Sequence, residues 1–232
     1  MSDFYDDLET RSQDQRESIH FALLRGQLNH AKIHAPFYQD LLADVDPDAV
    51  TDRAALARLP VTRKSDLLAR QAGEKPFGGL AASPTGEMLR VFVSPGPIAE
   101  PEGHQADYWR MARGFYSAGF RQRDVAINCF SYHHTPAGHM METGLRAVGC
   151  ATFPGGTGQS EAQARAISHF GISGYVGTPD FLKVILDKAE ELNIDISTLN
   201  KAMVGGGALF PSMREEYDAR GVAVLQNYGT AD

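Results

Sequence analysis

The feature that most constrains this chain is an alternation that begins after residue 104 and continues to the end. A helix pattern carries Tyr108, Trp109, Met111, Ala112, Phe115 and Tyr116 to Gly119, and the strand-like run Val125-Ala126-Ile127-Asn128-Cys129-Phe130 follows. After it come a helix from about Gly138 to Val148, the short run Ala151-Thr152-Phe153, a helix that Ser160 can cap and that ends at Phe170, and the run Ser173 to Val176. Thr178-Pro179 opens another helix as an N-cap with proline in the first turn. That helix places Phe181, Leu182, Ile185, Leu186, Ala189 and Leu192 on one face. The run Lys201 to Val204, a helix from Pro211 to Arg220 stopped by Gly221, and the run Val222 to Gln226 complete the series. Strands separated by helical crossovers pair parallel. The expected fold is therefore α/β, a mainly parallel sheet flanked by helices over residues 106–232.

Two different stretches precede it. Residues 1–70 read as a helical N-terminal segment, with a helix from about Ser12 to Ala31, a short apolar turn from Phe37 to Leu42, and short helices capped by Thr51 or Asp52 and by Thr62. Residues 71–105 are crowded with Gly and Pro, and only Met88 to Val93 reads as a strand. A long irregular stretch of this kind is usually functional or mobile.

Composition excludes several function classes. Among the 232 residues, 22 Lys and Arg face 29 Asp and Glu, a net charge of −7. Nucleic acid rewards clustered basic residues, so it is not an expected partner. No apolar run reaches the roughly 18 residues of a membrane span, so no membrane partner is expected. The acidic start Met1-Ser2-Asp3-Phe4-Tyr5-Asp6-Asp7 lacks the basic and apolar regions of a signal peptide, and a cytoplasmic location is the default. Cys129 and Cys150 are too few for a disulfide framework or a four-sulfur zinc site and read as small buried residues.

In such sheets ligands bind beyond the carboxyl ends of the strands. The loops there are Ser131 to Gly138 with Tyr132, His133 and His134, then Pro154 to Ser160 with Gly155 and Gly156, Gly177-Thr178-Pro179, Gly205-Gly206-Gly207-Ala208-Leu209, and Asn227 to Asp232. A glycine loop either turns sharply from strand to helix or lets backbone amides approach an anion or a base edge. One such loop favours the turn; two at one sheet edge favour a nucleotide or a similar ligand. Neither is a Walker A loop or a dinucleotide fingerprint. His133, His134 and His139 lack the spacing of a zinc set, and one histidine lining a substrate pocket is the better reading. No Gly-x-Ser-x-Gly elbow marks a hydrolase.

These residues resemble the phenylacetate–CoA ligase-like family of the acyl-adenylate-forming superfamily, over its N-terminal part and from about residue 20 onward. The resemblance rests on His34-Ala35-Pro36-Phe37-Tyr38, on Leu59-Pro60-Val61-Thr62-Arg63-Lys64-Ser65-Asp66-Leu67, on Pro154-Gly155-Gly156 leading to Glu161 and Gln163, on Gly177-Thr178-Pro179, and on Gly205-Gly206-Gly207-Ala208 followed by Tyr228-Gly229-Thr230-Ala231-Asp232. It implies that ATP and a carboxylic acid, aryl by the family, form an acyl-adenylate and that CoA then displaces AMP. By resemblance Gly205, Gly206, Gly207 and Ala208 line adenine, Tyr228 stacks on it, and Asn227, Gly229 and Thr230 belong to the same motif. Asp232 stands for the family's glutamate at Mg²⁺, the one catalytic and metal residue expected here. Tyr132, His133, His134, Gly155 and Gly156 wall the acid.

The chain also departs from the family. Its Ser/Thr/Gly phosphate loop becomes Val93-Ser94-Pro95-Gly96-Pro97-Ile98, which keeps Ser94 and Gly96 in register and loses amide donors to two prolines. Ala231 replaces a threonine, and Asp232 is one methylene shorter than glutamate. The chain stops on that motif, so the expectation is part of a ligase, incomplete for catalysis alone. The alternative is a non-catalytic module that binds an acid or a CoA thioester. A homodimer through the helical face around Leu23 and Leu28 is the one protein partner expected.

Overall fold

Ser12 starts the first helix with a reciprocal cap. In the computed structural model, which describes residues 3–229, its hydroxyl accepts from the Gln15 amide at 3.3 Å, and the Gln15 side chain accepts from the Ser12 amide at 3.1 Å. Helix α1 then spans Gln13–His34, running past the expected end at Ala31. Where a turn was expected, Pro36 opens helix α2 (Pro36–Leu41), because proline at a first helical position gives up only an amide that has no helical partner. Asp52, not Thr51, caps α3 (Arg53–Leu56) by accepting from the Ala55 amide at 2.7 Å. Helix α4 (Lys64–Gly73) follows Arg63 and has no side-chain cap, so Thr62 does not play that part. Leu28, Leu42, Val50 and Ala55 form the core of these helices. Leu28 is thus buried and offers no face to a second copy, whereas Leu23 stays 66% exposed.

The Gly/Pro-rich stretch holds two strands rather than one. β1 (Arg90–Ser94) and β2 (Ile98–Glu102) pair antiparallel, with Ser94 opposite Ile98. Pro101 inside β2 hides this strand from a propensity reading. The side chain of Gln71, on α4, takes over its edge pairing: Nε2 donates to the Ala99 carbonyl at 3.0 Å, and Oε1 accepts from the Ala99 amide at 2.8 Å. Residues 6–104 form one compact unit by these contacts.

Residues 105–229, together with residues 3–5, form a second unit. Its first helix, α5, spans only Ala112–Ser117. The expected earlier turns are lost because Asp107 and Arg110 take positive φ (51° and 58°), and the Asp107 carboxylate accepts from the Met111 and Ala112 amides at 2.8 and 3.1 Å. Strand β3 (Val125–Asn128), helix α6 (Ala137–Val148), strand β4 (Ala151–Pro154), helix α7 (Ser160–Phe170) and strand β5 (Gly174–Gly177) follow. Gln159, in the left-handed conformation, sits at the N-cap of α7, which leaves Ser160 as its first residue without a capping bond. Helix α8 (Pro179–Glu191), strand β6 (Lys201–Val204), helix α9 (Pro211–Ala219) and strand β7 (Ala223–Gln226) complete the unit. Thr178 caps α8 as expected.

The sheet is fully parallel in the order β4-β3-β5-β6-β7. Strand alternation sends Ile127, Tyr175, Ala202 and Val204 to one face, against Ile167, Leu182, Ile185 and Tyr217. Ala126, Val176 and Met203 go to the other, against Phe115, Met141 and Leu145. The chain leaves β3 first toward β4 and then returns to the opposite side for β5. The reversal of connection direction between β3 and β5 opens a crevice at their carboxyl ends, the position where doubly wound sheets bind ligands.

At the opposite end of β5, a Cβ on Gly174 would stand 2.3 Å from Cε1 of Phe120, which is fully buried against Phe115. Gly174→Ala should cost about 1–3 kcal/mol by overpacking, read by urea denaturation. Phe120→Leu should relieve part of that cost, so the double variant is less destabilised than the sum of the singles.

Candidate functional site

The crevice is organised around Asn128, the last residue of β3, whose side chain is fully buried. Its Nδ2 donates to the Tyr132 hydroxyl at 2.9 Å and to the Gly138 carbonyl at 2.8 Å, and its Oδ1 accepts from the Phe130 amide at 3.2 Å. Its backbone carbonyl accepts from the Gly156 amide at 3.0 Å. One residue therefore fixes both loops expected to wall an acid. Gly138 allows the close return of the chain: a Cβ there would lie 2.6 Å from the Ser131 carbonyl oxygen. The Tyr132 ring packs edge-on to His139 at 5.1 Å. Burial first, and then the Glu142 carboxylate that bonds its hydroxyl, hold this phenol well above the ordinary tyrosine value. Tyr132 thus anchors the loop with its hydroxyl, while His133 and His134 extend into solvent, His134 with φ of 63°.

Gly155 lies flat on β3, since a Cβ would stand 2.8 Å from Ile127 and 3.4 Å from the Cys129 sulfur. Gln163, reaching back from α7, is 2% exposed, and its Nε2 donates to the carbonyls of Gly155 (3.1 Å) and Gly156 (2.8 Å). Burial pushes the Cys129 thiol up to about 12 and, with the Asp124 charge, the Cys150 thiol to about 11. Both are buried, as expected for small packing residues.

The other side of the crevice holds the second glycine loop. Gly205 is buried against Asn227, whose Oδ1 would lie 2.0 Å from an added Cβ. The Asn227 amide donates to the Val204 carbonyl at 2.8 Å, and Gln226 Nε2 donates to the Gly207 carbonyl at 2.8 Å. Gly206, with φ of 69°, faces Phe130 and Thr178, and Gly207 faces Pro179. The loops after β3, β5, β6 and β7 thus meet at one rim. Gly206, Gly207 and Ala208 are open to solvent, and the Tyr228 ring is 92% exposed. An exposed ring beside an open glycine backbone can take a flat heterocycle by stacking and edge contacts.

In the first unit, Ser94 and Gly96 sit at the tip of the β1–β2 hairpin. Gly96 and both prolines are exposed, but Ser94 is 5% exposed and its hydroxyl donates to the Glu100 carboxylate. The tip presents neither a free hydroxyl at Ser94 nor amides at Pro95 and Pro97.

The second unit therefore brings together Tyr132, Gly155, Gly156, Gly205, Gly206, Gly207, Ala208, Asn227 and Tyr228 at one sheet edge. Thr230 and Asp232, the latter named for Mg²⁺, lie outside the described residues. Among the described residues, no group of three or more His, Cys, Asp or Glu is placed to hold a metal ion. Nor is any helix long and apolar enough to cross a membrane. Reasoning from residue types missed Asn128, which reads as an ordinary strand end; a polar residue closing an apolar run just before the loop was the available signal.

Comparison with known proteins places the fold. No family model matches the chain. It is 28% identical to a phenylacetate-coenzyme A ligase of Aromatoleum evansii over 97% of its own length and 53% of the relative. It is 26% identical to a phenylacetate-coenzyme A ligase of Thermus thermophilus, over 97% of its length and 52% of that protein. The chain spans about half the length of the curated relatives it matches. Among solved structures, a 2-hydroxyisobutyryl-CoA ligase in complex with 2-HIB-AMP and CoA superposes with a TM-score of 0.84 at 22% identity, covering 94% of the chain and 54% of that ligase. An anthranilate CoA ligase bound to anthranoyl-AMP gives a TM-score of 0.51 at 18% identity, over 65% of the chain and 31% of that ligase. The fold is that of part of an adenylate-forming CoA ligase.

Two outcomes follow from the site. Replacing Asn128 by Leu leaves the Phe130 amide and the Gly138 carbonyl without their side-chain partner, and should cost about 3 kcal/mol in urea denaturation. With thiol pKa values raised above the ordinary 9.0, both cysteines stay protonated at pH 8. Ellman's reagent should leave the native chain unmodified over minutes and titrate both thiols after denaturation.

Proposed function

We propose that the chain carries the acid- and adenylate-binding part of an AMP-forming acid–CoA ligase acting on a carboxylic acid, aryl by likeness to the phenylacetate ligases. The observation that carries this reading is the placement of two glycine loops at the carboxyl edge of one parallel sheet, on either side of the β3–β5 pair, in a chain similar to those ligases over 97% of its length. The open backbone of Gly205, Gly206, Gly207 and Ala208 and the exposed Tyr228 ring suit adenine. The loops of Tyr132, His133, Gly155 and Gly156 suit the acyl group, and Asn128 holds them at a fixed separation. In this reading an acid and the α-phosphate of ATP bind side by side along one sheet edge, which favours carboxylate attack on the α-phosphorus with pyrophosphate leaving. CoA and ATP enter as substrates by the same likeness. Asp232 is the residue assigned to Mg²⁺, which would offset charge on departing pyrophosphate. The same reading sets the chain in the cytoplasm, without nucleic-acid or membrane partners. A homodimer, if formed, would not use Leu28.

A second reading has its own support. The Ser94 hydroxyl is committed to Glu100, and prolines flank Gly96. That tip is poor in donors for a triphosphate and favours a module that binds an acid or thioester without ATP turnover.

Calorimetry with AMP, ATP, phenylacetate and a non-hydrolysable phenylacetyl-sulfamoyl adenosine separates the two. The ligase reading expects the bisubstrate analogue to bind at least 10-fold more tightly than AMP or the acid, because one molecule fills adjoining sites. Binding of the acid without any nucleotide would instead establish the module, and binding of none of the four would remove the ligase reading.

A further inference from the structure

The clasp that holds the Gly155–Gly156 loop is built from an unusual donor. Gln163 is buried in the first turns of α7. Its amide orientation is set by its surroundings, because two carbonyls, of Gly155 at 3.1 Å and Gly156 at 2.8 Å, both require a donor. Nε2 therefore faces the loop. Oε1 is buried on the other side and has no hydrogen-bond partner. A buried acceptor without a donor is a cost that methionine, of nearly the same length, would not carry. The feature that glutamine supplies and methionine cannot is the paired bond to the loop.

The loop needs such a hold. Its own backbone bonds are few: the Gly155 amide donates to the Phe153 carbonyl at 2.9 Å and the Gly156 amide to Asn128 at 3.0 Å. Gly156 and Gly158 take positive φ (62° and 73°), as does Gln159 (60°), so little in the side chains stiffens it. No side chain caps α7 at Gln159. Gln163 is thus the side chain that joins α7 to the loop, and Asn128 joins the same loop to the Tyr132 segment.

We infer that Gln163 is a positioning residue that fixes the wall of the acyl pocket and thereby sets which acid the site accepts, an inference that rests on the ligase reading above. It acts only through Gly155 and Gly156, on the β4–β3 half of the sheet edge. The glycine loop after β6 has a separate clasp, from Gln226 to Gly207. Loss of Gln163 should therefore change acyl preference and leave adenine binding alone.

The test uses the full chain and two variants, Gln163→Met and Gln163→Glu, with thermal unfolding to establish that each is folded. Affinities are measured for AMP and for sulfamoyl-adenosine analogues bearing acetyl, benzoyl and phenylacetyl groups. In Gln163→Met, AMP affinity should stay within twofold of wild type, while the ratio of phenylacetyl to acetyl affinity changes at least fivefold. In Gln163→Glu, a carboxylate faces two carbonyls at pH 8 and the ratio should shift in the same way. At pH 5.5, relative to wild type at the same pH, a protonated carboxyl donates one of the two bonds and part of the preference should return. A merely structural contribution would not follow that pH change. If both variants fold and keep the wild-type ratio, or lose AMP and every analogue by one common factor, Gln163 does not select the acid and the inference is overturned while the ligase reading stands. If the wild-type chain binds neither AMP nor any analogue, the ligase reading falls and the inference falls with it.

Discussion

The candidate site depends on one buried amide. Asn128 closes β3 with no solvent contact, and its side chain is bonded to Tyr132, to the Gly138 carbonyl and to the Phe130 amide. A buried amide in a low-dielectric interior stabilises only when its groups are satisfied, and then it specifies a single arrangement. Here the partners lie on the loop that leads into α6, and the backbone carbonyl of the same residue holds Gly156 after β4. Two chain segments that are far apart in sequence are thus located relative to one residue, one by its side chain and the other by its backbone. An aliphatic residue at this position would keep the strand and the backbone bond to Gly156, and would release the Tyr132–Gly138 loop.

Glycine supplies the complementary constraint, which is space. At Gly155, Gly177 and Gly205 an added Cβ would stand 2.8 Å from Ile127, 2.2 Å from the Tyr175 hydroxyl and 2.0 Å from the Asn227 side chain. Each glycine is therefore required by close packing of a strand end before any ligand is considered. That weakens the simple equation of glycine loops with nucleotide cradles. What points outward is Gly206-Gly207-Ala208 with the exposed Tyr228 ring, and it is there that backbone can meet a ligand.

The parallel sheet was legible because its strands are short apolar runs separated by helices with strong start signals, Thr178-Pro179 above all. The elements that reasoning from residue types missed fail for identifiable reasons. β2 carries Pro101 and two glutamates, and its edge is satisfied by the Gln71 side chain rather than by a neighbouring strand. α5 is shortened by Asp107, whose carboxylate captures two amides that a continuous helix would have used internally. The loops of the site could be named from topology alone, since the carboxyl ends of parallel strands are fixed by strand order. Asn128 could not, because its partners are set by the return of the chain at Gly138, which is a three-dimensional event. Gln163 was visible only as part of a family motif, and its bonds to two carbonyls explain why a glutamine suits that place.

The hairpin tip shows how the same reasoning limits what the chain can do with phosphate. A loop that holds a polyphosphate needs donors facing outward and little negative charge nearby. At this tip Pro95 and Pro97 contribute no amide hydrogen, and the Ser94 hydroxyl points to the Glu100 carboxylate, which itself opposes an anion. Gly96 alone keeps an exposed amide of the flexible kind. The glycine loop after β6 has no corresponding defect: its glycines are open, and the Tyr228 ring is exposed. Each unit thus presents its own feature: a donor-poor, acidic hairpin tip in the first, and an open glycine loop with an exposed aromatic ring in the second.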